Sequence, residues 1–291
     1  MYLYNELLSP IQSNVLFASI LGDGTLTKIS GKSRRVNSNY REHFSHAQLE
    51  YRQWKISFLQ DLFYLNNGKN EVLSKSQPLF TELEQIFYED RAKRIPMEII
   101  KMCTLPHFLA VLYMDDGSLS ITSRVNHRLK KIYLTPHIYL YLQSFTKTDL
   151  QLLRDHIREH FNVNLAMSRR KDGSGYVLKT TTVKATFNFF QAIRPVILSC
   201  PSMYYKTNWD FRFNKEMNEW AAKFPDYDVI ASSNDRSKTY SEEDIELLIR
   251  LKLIGYRDKD IAELLQRSYW SVVYKWREIN KESVEVIKSI A

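Results

Sequence analysis

Two stretches of this 291-residue chain repeat one pattern, SNVLFASILGDGT at residues 13–25 and LPHFLAVLYMDDGSL at residues 105–119. Each is an apolar run of helical character that ends in an acidic residue and a glycine, Asp23-Gly24 in the first and Asp116-Gly117 in the second. A carboxylate there faces the negative end of the helix dipole, which disfavours it by about 0.3–1 kcal/mol. A single acidic residue followed by glycine at this place is typical of a helix C-cap. Because the pattern occurs twice, each time before the same order of elements, it indicates a functional role for the two acids.

The flanks of the two runs also match. Pro10 and Pro106 precede the runs, and Ser9 and Thr104 are the predicted N-caps. A short alternating segment follows each run, TLTKIS after the first and SLSIT after the second, and each predicts a strand.

These stretches resemble the paired motifs of a single-chain LAGLIDADG homing endonuclease. Residues 16–24, LFASILGDG, align with the nine-letter motif without a gap, and so do residues 109–117, LAVLYMDDG. The resemblance implies that the essential acids are the eighth letters, Asp23 and Asp116. The third and seventh letters, where the two motif helices touch in the family, are Ala18 and Gly22 in the first copy and Val111 and Asp115 in the second.

The order of elements after each motif predicts an internal duplication. Two strands, an amphipathic helix, two strands and a further helix follow in both halves. The resemblance implies the same order. We therefore expect an α/β (α+β) fold class, a duplicated αββαββα LAGLIDADG fold with two antiparallel sheets that face DNA, plus a small three-helix C-terminal domain. The predicted domains are a first repeat at 1–100, a second repeat at 101–220, a linker at 221–239 and a helix-turn-helix module at 240–291.

The segments after the two motifs are polar and basic. Residues 25–48 carry five cations and one anion, Glu42, and residues 118–136 carry four cations and no anion. A hairpin of this composition leaves one face for water or a partner, and its side-chain types contact phosphates and base edges. One copy favours a solvated hairpin, whereas two copies favour two positive sheets beside the acids. The predicted DNA contacts in the repeats are Thr25, Thr27, Lys28, Lys32, Arg34, Arg35, Asn37, Arg41, Ser118, Ser120, Thr122, Arg124, Arg128, Lys130, Arg169, Arg170 and Lys171.

A lysine closes each half, Lys93 in RAKRIP and Lys206 in PSMYYKTNW. The resemblance implies that lysines in these contexts lie beside the active site, where they stabilise developing charge or organise the attacking water. Arg94 is an alternative to Lys93, and an exposed surface position is the alternative for both lysines.

Two closely apposed carboxylates repel each other unless cations lie between them, so Asp23 and Asp116 predict a divalent-metal site. Backbone carbonyls of Gly22 and Asp115 and the scissile phosphates would complete an oxygen shell, which suits Mg²⁺, with Mn²⁺ as a substitute. Metals at such a site activate water for phosphodiester hydrolysis. The resemblance implies one acid for each DNA strand, cleavage across the minor groove and short 3′ overhangs.

The character of the chain changes after residue 220. Residues 221–239 have no hydrophobic period and predict a linker, and the rest predicts three short helices that resemble a helix-turn-helix of the Myb or homeodomain-like type. A protein-interaction bundle is the alternative. The predicted outward residues of the third helix include Arg267, Tyr269, Lys275 and Arg277, and the predicted core is Ile261, Leu264, Leu265, Trp270, Val273 and Trp276.

The composition of the whole chain limits the classes of protein and of site to consider. The net charge of +8 makes a polyanion the first partner to consider. Cys103 and Cys200 lack a partner spacing, which argues against a disulfide scaffold and a zinc site. His156 and His160 fall in HIREH but have no third ligand, so we interpret them as surface residues. No run is long enough to span a membrane and no signal pattern is present, so we expect an intracellular protein.

The sequence therefore predicts a site-specific homing endonuclease that makes a metal-dependent double-strand break in a long DNA target, acting as a monomer. A group I intron maturase would use the same fold on intron RNA, and its mark would be loss of an acid. Two further candidate functions involve binding without cleavage, a regulator built on the same fold and a plain DNA-binding protein with a duplicated α/β domain.

Overall fold

The computed structural model describes residues 2–29, 34–232, 240–265, 267 and 269–290, without the side chains of residues 270 and 281–290. The chain divides into two compact units, residues 1–234 and 235–291. The first unit contains both motifs. No helix in these described ranges is long and apolar enough to cross a membrane.

The first half of unit one contains α1 (Leu3–Leu7), α2 (Pro10–Leu21), β1 (Thr25–Leu26), β2 (Tyr40–His43), α3 (Leu49–Ser57), β3 (Phe63–Asn66), β4 (Glu71–Ser74), α4 (Pro78–Phe87), β5 (Tyr88–Glu89), β6 (Ala92–Lys93) and α5 (Met97–Ile100). The second half contains α6 (Pro106–Asp116), β7 (Gly117–Asn126), β8 (Lys131–Leu140), α7 (Lys147–Phe161), β9 (Ala166–Arg169), β10 (Tyr176–Lys179), α8 (Val183–Ile197), α9 (Tyr204–Thr207), α10 (Trp209–Lys223) and β11 (Asp228–Ala231). The order αββαββα therefore occurs twice, from α2 to α4 and from α6 to α8, which confirms the predicted fold class.

The two motif helices, α2 and α6, form the centre of unit one. α2 begins with a capping box, because the Ser9 hydroxyl accepts from the amide of Gln12 and the Gln12 side chain accepts from the amide of Ser9. Thr104 is not the cap of α6. Instead, the amide of Leu105 donates to the side chain of Asn14 on α2 at 3.0 Å, so one motif helix caps the other. Residues 15–18 and 108–114 are fully buried.

The two sheets differ in length. The first has the order β1-β2-β4-β3, and β1 pairs with β2 over only two residues. In the second, β7 and β8 pair antiparallel over ten residues each, from Gly117 opposite Leu140 to Asn126 opposite Lys131. The other edge of β8 pairs with β10, which in turn pairs with β9. The second repeat therefore presents the longer hairpin.

The predicted linker at 221–239 is partly wrong. Residues 221–223 complete α10, and residues 228–231 form β11, which pairs parallel with β8 at Lys131–Leu134. The hydroxyl of Ser232 lies 2.7 Å from that of Thr135. A four-residue strand, DVIA, has no period that marks it in the sequence, and it forms because the outer edge of β8 is available to pair. Residues 233–239 lie outside the described residues.

Unit two contains α11 (Glu242–Leu253), α12 (Asp258–Leu264) and α13 (Tyr269–Ile290). Its core is formed by Leu248, Leu251, Ile261, Ala262, Leu265 and Val272. Two core assignments differ from the prediction: Leu264 is 60% exposed, and Val272 is buried in place of Val273. Trp276, also predicted for the core, is half-buried and packs against it. Trp270 was also predicted for the core, and its side chain is not among those that the structure describes.

His156 is buried rather than exposed, which corrects its interpretation as a surface residue. It lies on the inner face of α7, 5% exposed, with Nε2 3.0 Å from the carbonyl oxygen of Cys103. The ring of His160 lies tilted against it, at a centroid distance of 4.6 Å. Burial lowers the pKa of His156, which favours the neutral ring.

Candidate active site at the ends of the motif helices

The C-terminal ends of α2 and α6 meet at the seventh letters of the two motifs. A Cβ atom built on Gly22 would lie 2.7 Å from the Cβ atom of Asp115. The helices therefore touch here although the second motif carries an aspartate, and the glycine of the first motif provides the space. Asp23 and Asp116 follow directly, so both predicted acids lie at this contact.

Asp23 is neutralised by an ion pair. Its Oδ2 lies 2.6 Å from Nη2 of Arg52, which comes from α3 of the same repeat. The Asp23 side chain is 31% exposed, so one part of the carboxylate remains open to solvent. Asp23 therefore contacts a buried cation, and part of its carboxylate is still accessible to solvent.

Asp116 has a different environment. It is half-buried, and no cationic side chain lies within 4.0 Å of its carboxylate in the ranges that the structure describes. Burial, together with the charges of Asp115 and Asp23, raises the pKa of Asp116 to about 7. A negative charge on this carboxyl group is therefore not fully balanced by the surrounding side chains, which favours the neutral acid.

The two predicted lysines reach the ends of the motif helices. Nζ of Lys93 donates to the carbonyl oxygens of Gly22 at 3.0 Å and Gly24 at 2.9 Å. Nζ of Lys206 donates to the carbonyl oxygens of Met114 at 2.7 Å and Asp115 at 3.4 Å. Each lysine thus satisfies carbonyls that the helix end leaves without an internal partner.

Burial lowers the pKa of both amines, although the nearby carboxylates, Asp116 first for Lys93 and Asp115 first for Lys206, oppose the shift. Arg94, the alternative to Lys93, points elsewhere and contacts the carbonyl of Ile86 and the carboxylate of Glu98.

A buried charge cluster, which the sequence analysis did not identify, lies behind the two acids. It consists of Glu42, Arg52, Lys55 and Asp115. Arg52 and Lys55 are 1% and 2% exposed, and both contact Glu42, at 2.7 and 2.8 Å, and Asp115, at 2.8 and 3.0 Å. The hydroxyl of Tyr51 donates to Asp115 at 2.7 Å.

The cluster explains the charge states of its members. Burial acts against ionisation of Arg52, but Asp115 and Glu42 outweigh it and raise the pKa. For Asp115, burial favours the neutral acid, yet Lys55 and Arg52 lower the pKa below its usual range. Arg52 and Asp115 are therefore both held in their charged forms. Arg52 and Lys55 lie on the buried side of α3 with Tyr51, and nothing in the sequence of this helix marks them as buried.

The acids offer two candidate positions for a metal. Oxygens of Asp23, Glu42 and Asp115 lie within 4.8 Å of one another. Arg52 and Lys55 occupy the space between those three groups, so the cluster is closed by the protein's own cations. Asp116 and the exposed edge of Asp23 fit a divalent cation better, because they are oxygen donors that the protein's own cations do not enclose. The carbonyls of Gly22 and Asp115, predicted as ligands, accept from the two lysines.

The open face of the second sheet carries a polar ladder. Alternate residues of β8 are buried, and the others lie on the open face opposite alternate residues of β7. The predicted positions Ser118, Ser120, Thr122 and Arg124 all share this face. Their partners across the ladder, which the sequence analysis missed, are Tyr139, His137, Thr135 and Tyr133. The strict alternation of KIYLTPHIYL was the signal that could have found them.

The β9–β10 hairpin lines a shallow concavity on this sheet. Arg169, Arg170 and Lys171 line it together with Tyr139, Tyr141 and Lys179. The rings of Tyr139 and Tyr141 stack at 6.0 Å, and Nζ of Lys179 lies 5.8 Å from the ring centroid of Tyr139. Arg170 also pairs with Asp172 at 2.8 Å within its own turn. Arg128 and Lys130 are exposed at the tip of the β7–β8 hairpin.

The first sheet is less basic. Thr25 and Arg41 lie opposite each other on its open face, and Arg41 and His43 approach the carboxylate of Glu71 at 3.6 and 3.5 Å. In the loop between β1 and β2, Arg35 contacts Thr27 and Asn39, and Lys28 and Arg34 are exposed. The side-chain oxygen of Asn37 accepts from Thr81, so part of this residue is used inside the fold. Lys32 lies outside the described residues.

Arg267 does not point outward from the third helix of unit two. Its side chain is 6% exposed and pairs with Asp244 at 2.7 Å, and its guanidinium lies 3.8 Å from the ring centroid of Tyr240. It joins the segment before α13 to α11. Tyr269 and Arg277 are exposed, whereas Lys275 is 19% exposed and contacts Glu278 at 2.9 Å. Of the four residues predicted to point outward, Tyr269 and Arg277 are therefore the exposed ones.

The LAGLIDADG DNA endonuclease family matches residues 13–187 of the chain. Protein RecA of Mycobacterium shimoidei is 28% identical over 213 residues, 71% of this chain and 48% of that protein. Protein RecA of Mycolicibacterium fallax is 27% identical over 212 residues, with shares of 71% and 48%. The chain thus spans about half the length of these relatives.

One solved structure, the homing endonuclease I-WcaI bound to its DNA recognition sequence, superimposes with a TM-score of 0.52 at 21% identity. The alignment covers 69% of this chain and 87% of that one. At this identity the likeness shows a shared fold, and it agrees with the family match over the two repeats.

Proposed function

The chain belongs to the LAGLIDADG DNA endonuclease family, and from this premise we propose that it is a site-specific DNA endonuclease that makes a metal-dependent double-strand break. One observation carries the proposal: each motif helix ends in an acid, Asp23 or Asp116, and receives a lysine, Lys93 or Lys206, at the same end. A family member that only binds DNA has no need of both pairs.

The residues of the site have distinct roles in this proposal. Asp23 and Asp116 are the ligands of divalent cations, Mg²⁺ or Mn²⁺, which when bound supply an activated water and neutralise charge on the scissile phosphate. Lys93 and Lys206 hold positive charge beside the reacting phosphate. Because they are half-buried and fixed by carbonyls, they stabilise the charge that develops in the transition state without reorganising.

The two open sheet faces bind the DNA duplex on either side of the acids. On the second sheet, Ser118, Ser120, Thr122 and Arg124 project from one face, and hydroxyl and guanidinium groups contact both phosphates and base edges. The stacked Tyr139 and Tyr141 add flat apolar surface to that face. The first sheet contributes Thr25, Thr27 and Arg41, and the cations of its loop contact the backbone.

Unit two contributes a second DNA contact in this proposal, through Tyr269, Lys275 and Arg277 on α13. Binding through two linked units raises the local concentration of each on the DNA. The protein acts as a monomer, since one chain carries both acids.

The decisive experiment is site selection by cleavage on a randomised duplex library with Mg²⁺. The expected result is a long, imperfectly palindromic site cut on both strands. Binding without cleavage, in the presence of Mg²⁺ or Mn²⁺, would instead identify a non-cleaving regulator. Specific binding to a structured intron RNA, with no DNA site recovered, would identify a maturase.

A further inference from the structure

The cations of the active site are distributed unequally between the two motif acids. Arg52 contacts Asp23 with Nη2 at 2.6 Å and Asp115 with Nη1 at 2.8 Å. No equivalent contact is present at Asp116 in the part of the chain that the structure describes. The two halves of a duplicated site are therefore chemically different.

Arg52 is held firmly in this position. It is 1% exposed, and besides Asp23 and Asp115 it contacts Glu42 at 2.7 Å. Its guanidinium also lies over the ring of Tyr51, 4.7 Å from the centroid. Because three carboxylates and an aromatic ring fix the guanidinium, its charge stays beside Asp23 whether or not another cation approaches.

The second repeat supplies no such residue. The positions of α7 that face the core are Leu150, Leu153, His156, Ile157 and Phe161. The arginines of this helix, Arg154 and Arg158, both contact Asp155. The cations nearest to Asp116 are Lys93 and Lys206, and their amines donate to backbone carbonyls. Asp116 therefore has neighbouring positive charge but no side chain that occupies its oxygens.

Resting on the endonuclease function proposed above, we propose that Asp116 is the tighter ligand for a divalent cation and that Arg52 makes Asp23 the weaker one, so that the strand served by Asp116 is cut first. A cation that approaches Asp23 meets the guanidinium within a few ångströms and must share the carboxylate with it. At Asp116 an approaching cation meets unshared oxygens. Arg52 is thus a positioning residue that sets the order of the two cuts.

The first test measures binding of Mn²⁺ alone to the full chain without DNA, with free Mn²⁺ quantified by electron paramagnetic resonance. The wild type is expected to show two classes of site whose affinities differ at least tenfold. Asp116→Asn should remove the tighter class, and Asp23→Asn the weaker. Equal classes, or loss of the tighter class in Asp23→Asn, would overturn the proposal.

The second test changes Arg52. Arg52→Gln should raise the affinity of the weaker class about tenfold and leave the tighter class within about twofold. Arg52→Gln removes one of the two cations that the buried Glu42 and Asp115 share. The double variant Arg52→Gln with Asp115→Asn is therefore measured beside it, because it removes one charge of each sign. Circular dichroism establishes which variants are folded. An unchanged or lower affinity of the weaker class in the folded variant would contradict the assignment to Arg52.

The third test follows the order of the cuts on a cognate duplex with the two strands labelled differently. The strand that the wild type cuts first should be the strand that Asp23→Asn still nicks. If it is the strand that Asp116→Asn still nicks, the proposal is wrong. A protein that cuts neither strand would count against the endonuclease function, whereas the Mn²⁺ measurements decide the inequality of the acids independently of cleavage.

Discussion

Gly22 and Asp115 occupy the same letter of the two motifs and lie against each other, with only 2.7 Å between a Cβ atom built on the glycine and the Cβ atom of the aspartate. The aspartate fits because its counterpart has no side chain. Its carboxylate then contacts Arg52 and Lys55 of α3. The position at which the motif helices touch is therefore also the position at which the second repeat contributes a residue to the charge cluster.

Gly22→Ala should therefore destabilise unit one. A methyl group at 2.7 Å forces the helix ends apart, and overpacking of this kind costs about 1–3 kcal/mol. The measurement is chemical denaturation followed by circular dichroism. Gly68→Ala is the matched control, because its Cβ atom would meet its nearest neighbour at 3.7 Å. Equal stability of the two variants would show that the helices are not in tight contact at Gly22.

Asp23→Asn and Asp116→Asn should each abolish double-strand cleavage and leave DNA binding intact, because carboxylate charge is lost while the sheets are unchanged. Cleavage of the affected strand should fall at least about 100-fold. Plasmid nicking and gel-shift assays separate the two effects. Wild-type double-strand cleavage by either variant would mean that the acid is not required.

Binding should weaken steeply with salt if the sheets and loops contact the DNA backbone. Replacing Arg34 and Arg35 by Ala should reduce the slope of log K against log salt by about 1.8 if both contact phosphates. The matched control is Arg154→Ala with Arg158→Ala, which removes two cations from α7. The same slope in both double variants would place Arg34 and Arg35 off the DNA.

Truncation after β11 should remove unit two and leave unit one folded and active. A chain that ends at Ser232 retains β11 and should cut a duplex trimmed to the core site, but bind more weakly to duplexes with flanking sequence. A chain that ends at Phe224 loses β11 and its pairing with β8, and should be less stable by thermal unfolding. Lys275→Ala with Arg277→Ala should reproduce part of the loss on long duplexes. A folded chain ending at Ser232 that cannot cut at any concentration would assign unit two to the active structure.

Stability should fall on acidification through His156. Its pKa is lowered by burial in the folded state, so the unfolded chain takes up a proton more readily once the pH drops below about 6.5. This loss is absent above that pH and grows as the pH decreases toward the lowered folded value. His156→Gln should show a smaller decrease in the free energy of unfolding between about pH 7.5 and about pH 5.5. A decrease equal to that of the wild type would exclude His156 as its source.

The sequence was sufficient for the features that repeat. The αββαββα order appears twice, and the motif acids and the closing lysines all meet at the ends of α2 and α6. The sequence was insufficient where tertiary contacts decide. β11 forms on an edge that only the folded sheet provides, and Arg267 is buried because Asp244, twenty-three residues earlier, is available to pair with it. The cations of α3 were hidden for a related reason, since an amphipathic pattern does not show that a charged residue lies on its buried side.

The charge cluster makes each repeat depend on the other. A homodimer of the second repeat would set Asp115 against its own copy, without the cations of α3 to receive it. A homodimer of the first repeat would leave the space in front of Gly22 empty and deprive Arg52 and Lys55 of one shared carboxylate. The two repeats have become complementary parts. Neither repeat can therefore be replaced by a second copy of the other without losing contacts of the cluster.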